Sequence, residues 1–339
     1  MKIDAALAAP ALVEIPAVAT AIEAAGYDGA LTFEGPHDPF FPLLLAAEHT
    51  ERIDLMTAVA IAFARNPMTL AQVAYDLQLA SRGRFVLGLG SQIRPHIEQR
   101  FSMPWSQPAA RMRELVLAVR AIWACWHEGV PLDFHGEFYR HTLMTPMFDP
   151  GPNPFGLPRV FLAGVGPRMV EVAGEVGDGF LVHPFTTERY LREAILPGLA
   201  AGAARSGRAL AEVEIGFPVL VATGATEADR VAAEDLVRAQ LGFYGSTPAY
   251  RPVLDLHGWG DLQPELRRLT KEGRWAEIAA AVPAEVVEAF AVTGPPDSIG
   301  PQVLARCGDV VQRIGLTARG AAAEDPDLWP TVLASFRSP

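Results

Sequence analysis

The sequence predicts an α/β fold, a closed (β/α)8 TIM barrel with insertions, and three observations carry that expectation. Apolar runs of strand length alternate with amphipathic runs of helix length over most of the 339 residues. Eight such strand runs can be counted, the number that closes a parallel barrel rather than an open sheet. The third run, IDLMTAVAIA, is apolar on both faces, as strands buried beneath helices are. Barrels of this class reach this length as one domain, so residues 1–339 read as a single domain.

The elements follow in order. Residues 3–8 read as the first strand and 16–25 as a short helix that Gly26 ends. Residues 30–34 (ALTFE) are the second strand, 41–49 a helix and 53–62 the third strand. Asn66-Pro67 opens the next helix, with Asn as the cap and Pro at the first helical position, and it runs to Ala80. Residues 84–89 (RFVLGL) are the fourth strand. Residues 107–126 form the clearest helix, because Leu115, Val119, Ile122 and Trp126 share one face of a 3.6-residue period. Prolines at 131, 146, 150, 152, 154 and 158 mark the stretch 129–158 as an inserted loop. Strands at 159–163, 178–182 and 212–222 then alternate with helices at 167–175, 187–205 and 226–243. Residues 244–280 read as a second insertion with short helical pieces such as 265–272. Helices at 284–291 and 298–306, the eighth strand at 309–316 and a closing helix at 325–336 complete the chain.

Composition narrows the function. The chain carries 28 Lys+Arg against 39 Asp+Glu, a net charge of −11, which argues against nucleic acid as a partner because phosphate neutralisation needs clustered cations. The acidic balance leaves room for a small anion held by backbone N–H groups. Two cysteines, Cys125 and Cys307, make no disulfide framework, and no Cys/His spacing reads as a metal site. MKIDAALAAP lacks the apolar run of a signal peptide, and no run is long enough to span a membrane, so the cytosol is the expected compartment.

In such a barrel the working side chains sit in the loops after the strands, at their carboxyl ends. The unusual residues gather there: EGPHDPF (34–40) after the second strand, GLGSQIRPH (88–96) after the fourth, AGVGPRM (163–169) after the fifth, and His183-Pro184-Phe185 after the sixth. Gly164-Val165-Gly166-Pro167 presents backbone N–H groups at a helix start, where the dipole favours an anion; an ordinary strand-to-helix turn is the alternative. Met169 stands where a dinucleotide fingerprint would place its third glycine. Gly88-Leu89-Gly90-Ser91 is a second, weaker turn of this kind. Glu34 and His37 are the candidate proton-handling groups, although a lone loop histidine is as readily a solvated one. His183 reads either as a hydrogen-bond donor at the mouth or, more commonly for a lone histidine, as an ordinary loop residue; Arg94 and His96 read either as partners of an anionic tail or as a solvated loop; and Asp38 before Pro39 reads as a turn former. G-x-S-x-G and H-E-x-x-H are absent, and Glu34 has no partner carboxylate at another strand end, so serine-hydrolase, zinc-protease and glycosidase chemistries lack their residues. Cys125, inside the 107–126 helix, reads as inert packing.

The run TAVAIAFARNPMTLAQVAYDLQLASRGRFVLGLGSQIRPH (57–96) resembles the luciferase-like monooxygenase superfamily, most closely its branch of oxidoreductases that use the deazaflavin coenzyme F420. AAGYDGALTFEGPHDPF, FLAGVGPRMVEVAGEVGDGFLVHPF and FAVTGPPDSI extend the resemblance over nearly the whole chain, least at 130–157 and 244–280. The resemblance implies a (β/α) barrel with a non-prolyl cis peptide in strand three, matching Ala58-Val59, behind the cofactor ring. It places Gly88, Gly90, Ser91 and Gln92 at the ring or ribityl chain, Ala163, Gly164, Val165 and Gly166 at the phosphate, and His183 among the cofactor contacts. Glu34 and His37 match an acid and a histidine beside the ring, here separated by Gly35-Pro36 where some relatives have them adjacent.

The activity so implied is hydride transfer between F420 and a small organic substrate, with the 130–157 insertion covering the mouth. The same barrel accommodates FMN, so a monooxygenase fed by a separate flavin reductase is the alternative, and a non-catalytic barrel homologue is a third. No metal is expected. The resemblance also implies a homodimer through the helices after strands one to three, to which FFPLLLAA (40–47) contributes either an interface or barrel packing.

Overall fold

A computed structural model describes residues 1–9, 11–325 and 327–337. The chain has the (β/α)8 barrel fold that its alternation predicts, and its elements fall into two compact units. One comprises residues 2–181 and 198–214; the other comprises residues 1, 182–197 and 215–339.

The first unit is built from β1 (Lys2–Ala6), α1 (Ile15–Ala24), β2 (Gly29–Thr32), α2 (Phe40–His49), β3 (Asp54–Thr57), β4 (Ala60–Ile61), α3 (Pro67–Ala80), β5 (Phe85–Gly90) and α4 (Pro108–Glu128). A hairpin of β6 (Phe134–His135) and β7 (Arg140–His141) precedes β8 (Arg159–Ala163), α5 (Pro167–Val176) and β9 (Gly179–Leu181). The strands run parallel in the order β1-β2-β3-β5-β8-β9, with β4 also on β5. Met56, Val86 and Phe161, each fully buried, pack where three of these strands meet.

Local chemistry explains the helices. The Asn66 side chain accepts the Thr69 N–H at 3.0 Å, with Pro67 at the first helical position of α3. Leu115, Val119, Ile122 and Trp126 of α4 are all buried, as their spacing predicts, and the Trp123 indole donates to the Ala71 carbonyl of α3 at 3.0 Å. In α2, Phe40, Leu43, Ala46 and Ala47 are buried while Phe41 and Leu44 are exposed, so 40–47 presents two faces. The 129–158 segment is fastened to α4: the Glu114 carboxylate accepts the N–H groups of Glu137, Phe138 and Tyr139 at 2.8, 2.7 and 2.6 Å.

One strand departs from its sequence reading. The run 53–62 reads as continuous, but it is divided into β3 and β4 at Ala58-Val59, whose peptide bond is cis. The Ala58 N–H completes the β2–β3 ladder at the Thr32 carbonyl, 2.5 Å away, and β4 then pairs with β5, Ile61 opposite Gly90.

In the second unit β10 (Glu214–Ala222) pairs in parallel with β11 (Ala291–Thr293) and β12 (Arg313–Thr317). The helix expected to reach residue 291 stops at Phe290, and β11 begins at once; three residues are too few to carry a period-2 signal. A capping box of Thr226 and Asp229 starts the helix Glu227–Gly245. The 244–280 stretch forms helices Arg251–Leu256, Leu262–Glu272 and Trp275–Ala280, whose Val253, Leu266, Leu269 and Ile278 pack on Val237 and Leu241. The closing helix is Leu328–Ser335; residue 326, inside its expected span, lies outside the described residues. No helix among the described residues is long and apolar enough to cross a membrane.

Candidate active site

Four neighbouring strands of the first unit end in the loops that the sequence singles out. Gly90 at the end of β5 lies opposite Ile61 on one side and Ala163 on the other. The structure thereby brings together the segments carrying Glu34 and His37, Ala58 and Val59, Gly88 to Gln92, and Ala163 to Gly166.

Glu34 is committed to the fold. Its carboxylate, 6% exposed, accepts the Ile61 N–H at 2.7 Å and the Arg65 guanidinium at 2.6 Å. Arg65 also donates to Asp38 at 2.9 Å and to the Ile61 carbonyl at 3.2 Å, and it lies over the Phe40 ring. Asp38 takes the Phe40 N–H at 2.9 Å, the turn-forming bond expected of it. His37 is exposed and forms no hydrogen bond or ion pair among the described residues. Arg65 was not among the sequence candidates; the signal for it was a lone cation closing an apolar run, four residues after Ile61.

The backbone of β5 runs close against the β3–β4 junction. The Thr57 hydroxyl, fully buried, donates to the Gly88 carbonyl at 2.7 Å and accepts the Gly88 N–H at 2.9 Å. A Cβ at Gly88 would stand 1.7 Å from the Thr57 carbonyl oxygen, and one at Gly90 2.6 Å from Val59 Cγ2. These glycines are therefore required by packing. Ala58 and Val59 are half-buried, and Ser91 donates to the Gln92 carbonyl at 3.2 Å. Gln92 has a left-handed backbone (φ +59°), and its own side chain accepts the Ile93 N–H at 3.0 Å.

The turn after β8 has a different character. A Cβ at Gly166 would meet no atom within 4 Å. The N–H groups of Val165 and Gly166 have no acceptor among the described residues, while the Gly166 carbonyl takes the N–H groups of Met169 and Val170. Donors without an acceptor just before the ten-residue α5, next to the open position at Gly166, fit an anion's oxygens.

His183 lies in the second unit. Its Nδ1 accepts the Phe185 N–H at 3.0 Å, and its Nε2 lies 3.0 Å from the Tyr250 hydroxyl. Burial pushes its pKa down to about 4 and that of Tyr250 up to about 12. Tyr244 meets the His183 ring edge-on at 5.1 Å. Both tyrosines come from the 244–280 stretch and its approach, which carried no motif, and so escaped the sequence reading. No group of three or more His, Cys, Asp or Glu among the described residues is placed to hold a metal. A groove of about 400 Å³ is lined by Asp38 and Arg65 together with Phe41 and Leu44 of α2 and Val73 and Asp76 of α3, among others.

Comparison with known proteins identifies the family. The model of the luciferase-like monooxygenase family matches residues 2–313. An uncharacterised protein of Mycobacterium bovis is 56% identical over 87% of this chain and 87% of its own. An F420-dependent glucose-6-phosphate dehydrogenase of Nocardia farcinica is 31% identical over 53% of this chain and 54% of its own. Among solved structures, a coenzyme F420 dependent tetrahydromethanopterin reductase from Methanopyrus kandleri is similar in fold, with a TM-score of 0.79 at 20% identity, covering 98% of this chain and 96% of that one.

Proposed function

This chain belongs to the luciferase-like monooxygenase family and is an enzyme of that class, and from that premise we propose that it transfers a hydride between coenzyme F420 and a small organic substrate. The observation that carries the reading is the turn at Val165 and Gly166, where two N–H groups without an acceptor among the described residues precede a helix and a Cβ at Gly166 would meet nothing within 4 Å. F420 brings a phosphate for such a cradle, and the relative from Nocardia farcinica is named for its dependence on that coenzyme.

When bound, the deazaflavin supplies two-electron hydride chemistry at carbon. The residues of this chain supply position and charge. Val165 and Gly166 hold the phosphate through backbone donors. Ala58 and Val59 are small enough for a flat ring to lie against their backbone, and Gly88, Gly90, Ser91 and Gln92 border it from β5. Glu34, locked to Ile61 and Arg65, holds the 58–61 segment in place. His37, exposed and unengaged, moves the proton that accompanies the hydride.

Titration with purified F420 tests the reading by fluorescence quenching. Saturation in the low micromolar range is expected, weakened about tenfold by Gly166→Asp, which sets a like charge in the cradle. Absence of quenching at tens of micromolar, with FMN raising the melting temperature instead, would replace this reading by that of a flavin monooxygenase.

A further inference from the structure

Phe33 follows β2 directly, and its side chain stands in the open, 68% exposed, although Gly29, Ala30 and Thr32 just before it are buried. A single exposed apolar side chain is ordinary on a protein surface. Its place is not. Side chains alternate between the two faces of a strand. Thr32 points toward α2, where its hydroxyl donates to the Pro39 carbonyl at 2.9 Å. Leu31 points the other way and packs on Met56, Val86 and Phe161 of the same sheet. Phe33 continues the Leu31 face at the carboxyl end of β2, where barrels of this class place their working residues.

The surrounding chain holds this ring in place. Before it, the Thr32 carbonyl takes the Ala58 N–H at 2.5 Å; after it, the Glu34 N–H donates to the Val59 carbonyl at 3.3 Å. The Gly35 carbonyl then accepts the Arg100 guanidinium at 2.6 Å. The ring rests against Gly35, where a Cβ would stand 2.6 Å from Phe33 Cε2. A fixed backbone and a glycine seat thus pre-order an apolar surface with only two side-chain torsions, which lowers the entropy lost when a molecule settles on it. The same bonds set Phe33 beside Ala58 and Val59, and all these residues belong to the first unit. The carboxylates of Glu34 and Asp38 bond to Arg65, and Arg100 adds a second guanidinium, so these four charges cancel. That balance suits an uncharged ligand.

We propose that the Phe33 ring is a substrate-contacting surface that selects substrates with an uncharged apolar face, aromatic above all, beside the carbon that exchanges the hydride. The assignment rests on the hydride-transfer reading above and names the class of its substrate. Apolar area covered on the ring supplies affinity, and an aromatic partner adds the preference of ring for ring. A molecule on Phe33 lies next to Ala58 and Val59, the backbone that the same reading gives to the cofactor ring. Binding there displaces water from an exposed face and breaks no hydrogen bond of the protein, because the Phe33 side chain has none to lose.

The probe is N-phenyl-1-naphthylamine, an uncharged aromatic molecule whose emission rises when it leaves water. The protein should bind it with a dissociation constant on the order of tens of micromolar. It should bind the anionic 8-anilinonaphthalene-1-sulfonate at least about tenfold more weakly, since that probe brings a charge to desolvate. Phe33→Ala should weaken the uncharged probe about tenfold and Phe33→Trp less than about twofold, with F420 affinity by quenching changed less than about twofold in both. Gly35→Ala, which pushes the ring aside without removing it, should weaken the probe as well. The melting temperature of Phe33→Ala should stay within about 2 °C of wild type, because the ring is mostly exposed. Probe affinity that Phe33→Ala leaves unchanged, as binding in the groove of Phe41 and Leu44 would give, overturns the assignment. A loss of F420 affinity that matches the loss of probe affinity also overturns it, making the ring a cofactor contact. So does a protein that quenches F420 and binds no probe, which leaves the hydride-transfer reading intact. Probe binding that Phe33→Ala removes, on a protein that never quenches F420, overturns that reading and leaves Phe33 as an apolar contact.

Discussion

Replacing Glu34 separates a positioning role from a proton-transfer role. In Glu34→Ala the Ile61 N–H, on a residue 2% exposed, loses its acceptor at a cost of about 1–3 kcal/mol. Arg65, 17% exposed, loses one of two carboxylates. Removing one partner of a buried pair costs about 3–5 kcal/mol, and the retained Asp38 bond at 2.9 Å brings this case to the lower end, about 3 kcal/mol in all. With a urea slope of about 3 kcal/mol per molar for a chain this size, the unfolding midpoint should fall by about 1 M. Glu34→Gln keeps an acceptor for Ile61 and loses only the charge, so about half that fall is expected. A double-mutant cycle with Arg65→Ala should return a coupling of about 1–3 kcal/mol. If Glu34→Gln unfolds at the wild-type midpoint yet turns over at least a hundredfold more slowly, the carboxylate transfers the proton itself and the anchoring argument is wrong.

Three other outcomes follow from the same geometry. Gly88→Ala drives a methyl into the Thr57 carbonyl and should destabilise by about 3 kcal/mol, whereas Gly166→Ala, at φ −85° with nothing within 4 Å, should unfold like wild type and weaken F420 binding in a fluorescence titration. His183 has its folded pKa lowered to about 4, so the unfolded chain binds its proton first as pH falls. Its stabilising contribution is full above about pH 6.5 and is lost as pH drops toward 4; melting curves of His183→Gln should be flatter across that window. Cys125 and Cys307 are buried, and burial raises both thiols, Cys307 to about 11, so a thiol reagent at neutral pH should label neither until urea unfolds the chain.

The barrel was legible because its signals are local. Asn66-Pro67 caps α3, the Leu115–Trp126 face packs, and RVFLA is β8 to the residue, each decided within a few positions. The divided third strand was not legible from apolarity, since IDLMTAVAIA has the composition of one unbroken strand. The two halves differ in partner: Ala58 still pairs with Thr32, 26 positions back, while Ala60 and Ile61 pair with β5. Only the family resemblance singled out Ala58-Val59. β11 escaped because three residues, AVT, are shorter than any pattern that would distinguish them from the end of the helix before them.

Site residues divide along the same line. Glycine turns announce themselves, but their reasons do not: Gly88 and Gly90 are glycine because β5 runs against residues 57–59, while Gly166 stands in open space with bare donors beside it. All looked alike as letters. Glu34 stood out as an acid at a strand end, and its neutralising partner, Arg65, sits 31 positions away on the approach to α3. Tyr250 had no motif at all, since its meaning comes from His183, 67 positions earlier, and from the one Phe185 N–H that fixes which imidazole nitrogen is protonated. A residue type in a loop therefore nominates a chemistry, and the bonds that occupy or free its last proton decide whether that chemistry is available. By that criterion Glu34, bonded to Ile61 and Arg65, differs from His37, which forms no hydrogen bond or ion pair among the described residues.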